Sequence, residues 1–168
     1  MGIDDTRMEE WFYKYSDDVY NFLIYYRGHS DVEDLVQDVY IKAIKGLASY
    51  RKDANPKTWL FQIARNVAID DARRRQVRND KIKINSYKDS LPIIKTPEQI
   101  YQLNEQKSEL IQAIQRLKQN YREVLLLRGM KEFSVEETAT ILKWSNNKVR
   151  VTYHRALEAL KKEVSKYE

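Results

Sequence analysis

The sequence predicts an all-α protein of two small helical domains joined by a flexible linker, the second ending in a helix-turn-helix. Three observations carry this. Apolar residues recur at three- and four-residue steps through most of the chain, the period of a helix face. Gly and Pro are scarce, four and three in 168 residues, as in a helical, soluble protein. Between about residues 78 and 95 the apolar period is lost, a stretch too long for a loop inside one compact domain. The boundaries follow as 1–77 for the first domain, 78–96 for the linker and 97–168 for the second.

Composition narrows the function. The chain has no cysteine, which excludes a disulfide framework, cysteine-based zinc sites and a cysteine nucleophile, and fits a reducing cytoplasm. The two histidines, His29 and His154, have no ligand-like spacing, and no metal or other cofactor is expected. There is no signal-peptide pattern and no apolar run long enough to span a membrane. The net charge is +5 and the pI about 9.2, weak evidence for nucleic-acid binding by itself. The distribution says more. Acidic residues gather early, at Asp17, Asp18, Asp31, Glu33, Asp34 and Asp38. Basic residues gather at Arg73–Arg75, Arg78, Lys81 and Lys83, and again at Lys148, Arg150, Arg155, Lys161 and Lys162.

The first helix is expected over about 5–26, with Met8, Trp11, Phe12, Tyr15, Val19, Phe22, Leu23 and Tyr26 on one apolar face. Gly28 and His29 break it. Ser30 and Glu33 then form a capping-box signature for a second helix. That helix turns Val32, Leu35, Val36, Val39, Ala43, Ile44 and Leu47 inward and leaves Glu33, Asp34, Gln37 and Asp38 outward, with Tyr40 near the edge. This acidic group suits a docking face, and it also complements a helix N-terminus.

A polar loop over 50–55 leads to Asn55-Pro56, an N-cap followed by a proline at the first helical position. The third helix sets Trp59, Leu60, Ile63, Ala64, Val67 and Ala68 on one side and ends in Arg73, Arg74 and Arg75. Trp59 can be a core aromatic, and the arginines can complement a helix C-terminus. With Arg65 and Asn66 between them, they also make an aromatic-plus-basic surface of the kind that holds single-stranded nucleic acid. The stretch 30–75 thus joins a docking face to a nucleic-acid face.

The second domain opens on Thr96-Pro97-x-Gln99, again a cap signature. A long amphipathic helix follows, with Ile100, Leu103, Leu110, Ile111, Ile114 and Leu117 inward. The next carries Tyr121, Val124, Leu125 and Leu127 and breaks near Gly129. Ser134 and Glu137 cap a short helix over 135–142. A turn at 143–145 leads to a last helix beginning at Asn146 and Asn147. Ala139 permits a close helix crossing, and Leu142, Trp144 and Val149 sit where helix-turn-helix units place their core. On the last helix Val149, Tyr153, Ala156 and Leu160 face in. Asn147 stands at its start, and Lys148, Arg150, Val151, His154 and Arg155 face out. That is the layout of a recognition helix in a major groove.

At this point the sequence resembles the bacterial sigma factors of the extracytoplasmic-function (ECF) group, over nearly its whole length. EDLVQDVYIKA at 33–43 is similar to the family's regions 2.1–2.2, with Asp34, Gln37 and Tyr40 matching a D-x-x-Q-x-x-aromatic pattern. TWLFQIARNVAIDDARRR at 58–75 is similar to regions 2.3–2.4, and FSVEETATIL…NKVRVTYHRALEAL to region 4.2. The resemblance implies a promoter-specificity subunit that binds core RNA polymerase through the β′ clamp helices and the β flap. It implies core-polymerase contacts at Glu33, Asp34, Gln37, Asp38 and Tyr40. It implies −10 contacts at Arg51, Asp53, Asn55, Trp59, Arg65, Asn66, Arg73, Arg74 and Arg75, with a base flipped into a pocket of the loop at 51–55. It implies −35 contacts at Asn147, Lys148, Arg150, Val151, His154 and Arg155. Catalysis is then the polymerase's, and an inhibitory anti-sigma factor, often membrane-anchored in the family, is an expected partner. The expected chain carries no fused sensory domain.

One departure matters. Where family recognition helices often begin with a Pro-x-Gly-Thr-Val type segment, this chain has Ser145-Asn146-Asn147-Lys148-Val149. Its −35 preference is therefore not transferable from other members. Two other readings account for less. A helix-turn-helix regulator acting without polymerase leaves Asp34, Gln37, Trp59, Asn66 and the arginine run unexplained. A carboxylate-bridged metal protein wants Glu-x-x-His pairs, and the chain has none.

Overall fold

The computed structural model describes residues 3–29, 31–50, 55–83 and 105–166. Among them are α1 (Ile3–Arg27) and α2 (Glu33–Gly46), then a 3₁₀ turn at Leu47–Ser49 and α3 (Pro56–Lys83). In the second half, α4 (Glu105–Gln115) precedes α5 (Gln119–Val124), which runs on as a π-helical turn, Leu125–Met130. The last two helices are α6 (Val135–Leu142) and α7 (Asn146–Ser165). No strand occurs among the described residues.

Local signals explain most of the boundaries. Asn55 Oδ1 accepts from the Lys57 amide at 2.9 Å, so α3 starts on its expected cap with Pro56 at the first position. Gly28 ends α1 at φ +80°, in the left-handed region that glycine enters without strain. The start of α2 differs from expectation. Its N-cap is Val32, whose side chain makes no cap hydrogen bond, and Glu33 is the first helical residue; Ser30 lies outside the described residues. Val32 is completely buried, and anchoring it in the core sets the helix start in place of a capping box. The third helix also runs further than its apolar pattern, so residues 78–83, expected as linker, are helical. Arg78, Lys81 and Lys83 are good helix formers and extend the helix without an apolar face, past Asn79 and Asp80. Residues 84–104, including Thr96, Pro97, Gln99, Ile100 and Leu103, lie outside the described residues.

The core has two parts. Met8, Trp11, Tyr15, Tyr40, Ala43 and Leu60 close the outer end of the first three helices. The larger part is continuous from Phe22, Leu23, Phe61 and Ala64 in the first half to Ile111, Leu126, Leu127, Ile141 and Val149 in the second. Phe61 and Phe133 meet across it edge to face, 5.0 Å between ring centroids. The two helical halves match expectation; their packing against one another was not legible from the pattern. Two inward assignments are corrected. Phe12 is 45% exposed and Ile44 is 56% exposed. Trp11 and Ala43, also expected inward and each one residue away, so about 100° round the helix, are the ones that are buried.

Candidate docking and nucleic-acid interfaces

Helix α2 presents Asp34 and Gln37 to solvent, with Glu33 beside them and Asp38 half-buried. Ile41 and Ile44 continue the same stripe at three- and four-residue steps, 48% and 56% exposed. The sequence reading missed both as surface residues; their spacing from Asp34 and Gln37 was the available signal. Tyr40 is corrected. It is 6% exposed, and its hydroxyl donates to the Trp11 carbonyl at 3.4 Å. Burial, with the Asp18 charge second, pushes its hydroxyl pKa up to about 12. Its role in this structure is to join α2 to α1 from inside.

On α3 the aromatic and basic residues divide between two faces. Trp59, Asn66 and Arg73 recur every seven residues, about two turns or 10.5 Å apart, on one side. Asn66, Arg73 and Arg74 are exposed. Trp59 is half-buried in a trio with Trp11 and Tyr50, at 6.0 Å and 5.0 Å between centroids. It therefore supports the end of the loop as well as bordering the open face. Arg75 is tied back to Asp71 at 3.4 Å, and Arg27 reaches the same carboxylate at 2.9 Å. Arg51 and Asp53 lie outside the described residues.

Arg65 is on the other face of α3, under the second half of the chain. Its Nε stands 3.2 Å from Oε1 of Glu123. Glu123 is 0% exposed. The same oxygen accepts from the Tyr26 hydroxyl at 2.6 Å and from Gln119 Nε2 at 3.2 Å. Oε2 is buried with no hydrogen-bond partner. Burial and the adjacent Glu123 charge hold the Tyr26 hydroxyl pKa well above its ordinary value. Burial lowers that of Arg122, whose guanidinium donates to the carbonyls of Gln115 at 3.0 Å and Leu117 at 3.3 Å. Further along, Thr58 donates to Glu137 at 3.4 Å and Gln62 to the Thr140 carbonyl at 3.2 Å. Asp18 stands between Lys57 and Lys131, 3.4 Å from each. None of this junction was read from the sequence; Glu123, a carboxylate set between Arg122 and an apolar run, was the only hint.

The unit α6–turn–α7 forms as expected. Ser134 and Glu137 make a reciprocal capping box, at 2.9 Å and 3.0 Å. Lys143 turns the chain at φ +59°, and Ser145 Oγ caps α7 by accepting from the Lys148 amide at 3.1 Å. Val149 and Ala156 are fully buried against α5 and α6. That leaves Asn147, Lys148, Arg150, Val151, His154 and Arg155 exposed on the outer face. Lys148 Nζ lies over the Trp144 ring at 4.4 Å, a cation–π contact that steadies the mouth of the helix. Among the described residues no group of side chains could hold a metal ion, and no helix is long and apolar enough to cross a membrane.

An all-helical chain with a capped, basic-faced helix-turn-helix and a separate aromatic-basic helix is built as a DNA-binding transcription factor. Comparison with known proteins makes this specific. The chain matches Sigma-70 region 2 over residues 11–78 and Sigma-70, region 4 over residues 107–160. It is 35% identical over 164 residues to the RNA polymerase sigma factor YlaC of Bacillus subtilis (strain 168), covering 95% of this chain and 92% of that one. It is 33% identical to the ECF RNA polymerase sigma factor SigX of the same organism, over 88% of this chain and 78% of that one. In structure it is similar to the sigma factor RpoE of Bartonella quintana, solved in complex with the anti-sigma factor NepR. The TM-score is 0.76 at 26% identity, over 97% and 98% of the two chains. The chain belongs to the ECF sigma factors of the sigma-70 family, the subunits that give bacterial RNA polymerase its promoter specificity.

Proposed function

We propose a division of labour among three surfaces. The α2 stripe, with Glu33, Asp34, Gln37 and Asp38, docks on the β′ clamp helices of core RNA polymerase, while the second domain meets the β flap. The open face of α3 handles the −10 element. Asn66 reads an extruded base, and Arg73, Arg74 and Arg75 hold phosphates. Trp59 and the loop at 51–55, with Arg51, Asp53 and Asn55, shape the pocket. Unstacking a base costs roughly a few kcal/mol, and an aromatic platform returns about 1–3 kcal/mol. The outer face of α7, with Asn147, Lys148, Arg150, Val151, His154 and Arg155, reads the −35 element. Tyr40 supports the docking helix from within, and Arg65 reaches nucleic acid only when released from Glu123.

The domains serving these roles are 1–77 and 97–168. The chain performs no catalysis itself and acts in the cytoplasm, beside the polymerase. An anti-sigma factor is its regulator, supported by the likeness to the Bartonella sigma factor solved with NepR. The observation that carries the reading is that α2, α3 and α7 each expose a distinct polar surface, inside the two matched regions. Run-off transcription with purified core polymerase tests it. Initiation at defined promoters should require both the chain and the core enzyme. A palindromic footprint on duplex DNA without polymerase, and no initiation with it, would replace this reading with an independent helix-turn-helix regulator.

A further inference from the structure

Val151 stands where neither the core nor the helix asks for a valine. It lies about 200° round α7 from the fully buried Val149, near the middle of the outer face, and is 40% exposed. The other exposed apolar residues of α7, Leu157 and Val164, lie only about 80° and 60° from Val149, on the flank of the core. Valine is also a poorer helix former than alanine, lysine or arginine. The residues three and four positions away, Asn147, Lys148, His154 and Arg155, are all polar and exposed and lie within about 60° of it. Val151 is thus a single apolar spot ringed by hydrogen-bonding side chains. Lys148 leaves it uncovered, because its ammonium is drawn back over the Trp144 ring at 4.4 Å.

The major-groove edges of base pairs present donors and acceptors, which the ring of polar side chains can meet. They also present one apolar group, the C5-methyl of thymine. Val151 is in the second turn of α7, within the half of a recognition helix that approaches base edges. Its side chain is short, so it touches a base only where the helix axis comes close. A pair without the methyl would set polar edge atoms against valine and strip their water without replacing it. Such a pair is disfavoured, and the contact discriminates by exclusion as well as by attraction.

Resting on the function proposed above, we infer that Val151 reads a thymine in the −35 element through its C5-methyl group. Specificity at that pair is apolar, whereas the surrounding positions are read by hydrogen bonds. The valine therefore sets one letter of the promoter that no charged residue of α7 can set.

Uracil differs from thymine only by the missing methyl and keeps every pairing and groove hydrogen bond. The experiment uses holoenzyme assembled from core polymerase and the full chain, on a promoter located by mapping transcript starts. Each thymine of the −35 element, on either strand, is replaced in turn by uracil, and promoter affinity is measured. One replacement should weaken the parent about fourfold, the effect of one buried methyl group. The Val151→Ala holoenzyme should bind the thymine promoter more weakly by a similar factor and respond less than twofold to that same uracil. Alanine is the better helix former, so the variant keeps its fold, and circular dichroism checks it. An element without thymine, a parent indifferent to every uracil, or a variant as sensitive as the parent at every position would each overturn the inference. Run-off transcription on the same samples keeps the two readings apart. Normal initiation with no Val151-dependent thymine removes the inference and leaves the function. No initiation on any template removes the function, and the thymine contact with it.

Discussion

Gly28 lies directly against Gln115: a β-carbon at Gly28 would stand 2.7 Å from Cγ of Gln115. Gln115 comes from α4 and uses its amide to close the end of α1, donating to the carbonyls of Tyr25 at 2.6 Å and Tyr26 at 2.9 Å. Those carbonyls belong to a helix terminus that has no intrahelical partners to offer. The second half of the chain thus caps a helix of the first.

Gly28→Ala should lower stability by about 1–2 kcal/mol from the left-handed backbone alone, and by more through the clash. Gln115→Ala removes the cap without the clash and should cost about 1–2 kcal/mol. Urea unfolding of each variant checks this. A Gly28→Ala protein as stable as the parent would mean that the two halves do not meet at this point.

His29 gives the fold a pH dependence. It is 4% exposed, with Nε2 unpartnered. Burial, then the nearby Arg75 and Arg27 charges, lower its pKa to about 4. Between that value and its unfolded one near 6.5, the unfolded chain binds more protons than the folded one, so stability falls as pH falls. The expected loss is about 1–2 kcal/mol from pH 7 to pH 5. Comparing unfolding midpoints of the parent and His29→Gln across this window isolates the term; equal slopes would assign it elsewhere.

On α2 the exposed stripe and the buried tyrosine should separate in their effects. Asp34→Ala, Gln37→Ala and Ile41→Ala should each weaken core-polymerase binding with stability changed by no more than about 0.5 kcal/mol. Tyr40→Phe should leave binding near the parent's, because the hydroxyl points at Trp11, whereas Tyr40→Ala should cost about 3–5 kcal/mol in folding. Titration of labelled protein with core enzyme, beside thermal melts, distinguishes these. Lost affinity in Tyr40→Phe with an unchanged melt would place the hydroxyl at the interface.

On α7, Arg150→Ala should cost about 1–3 kcal/mol in −35 affinity if the side chain reads a base, and should relax preference at one position. Lys161→Ala, about three turns further along, should weaken binding evenly across sequences and reduce the salt slope by about one. Polymerase-bound promoter affinities over a salt series tell the two apart. Equal, sequence-independent losses would make Arg150 a phosphate contact.

What could be read from the sequence was local. Ser134 with Glu137 and Asn55 before Pro56 are signals a few residues wide, and each forms as expected. Val149 and Ala156 followed from period alone. The misreadings arose where neighbours compete for one inward sector: Trp11 against Phe12, Ala43 against Ile44. Tyr40 looked like an edge residue because an acidic group precedes it, but its ring fills a gap among Trp11, Met8 and Leu60. Ser30 with Glu33 had the letters of a cap, and the burial of Val32 decided otherwise. Arg65 and Glu123 are charges on helices, which period analysis sends to solvent. Only the approach of two halves separated by 84–104 shows that they meet.

On the roles proposed above, the exposed α2 stripe lets a free copy of this protein queue for polymerase against other sigma factors, while α3, held to α6 through Gln62 and Thr140, keeps it from occupying both elements of a promoter and shutting the gene to others. Raising its concentration in a cell short of free polymerase should therefore redistribute the enzyme among sigma factors rather than block the genes it serves.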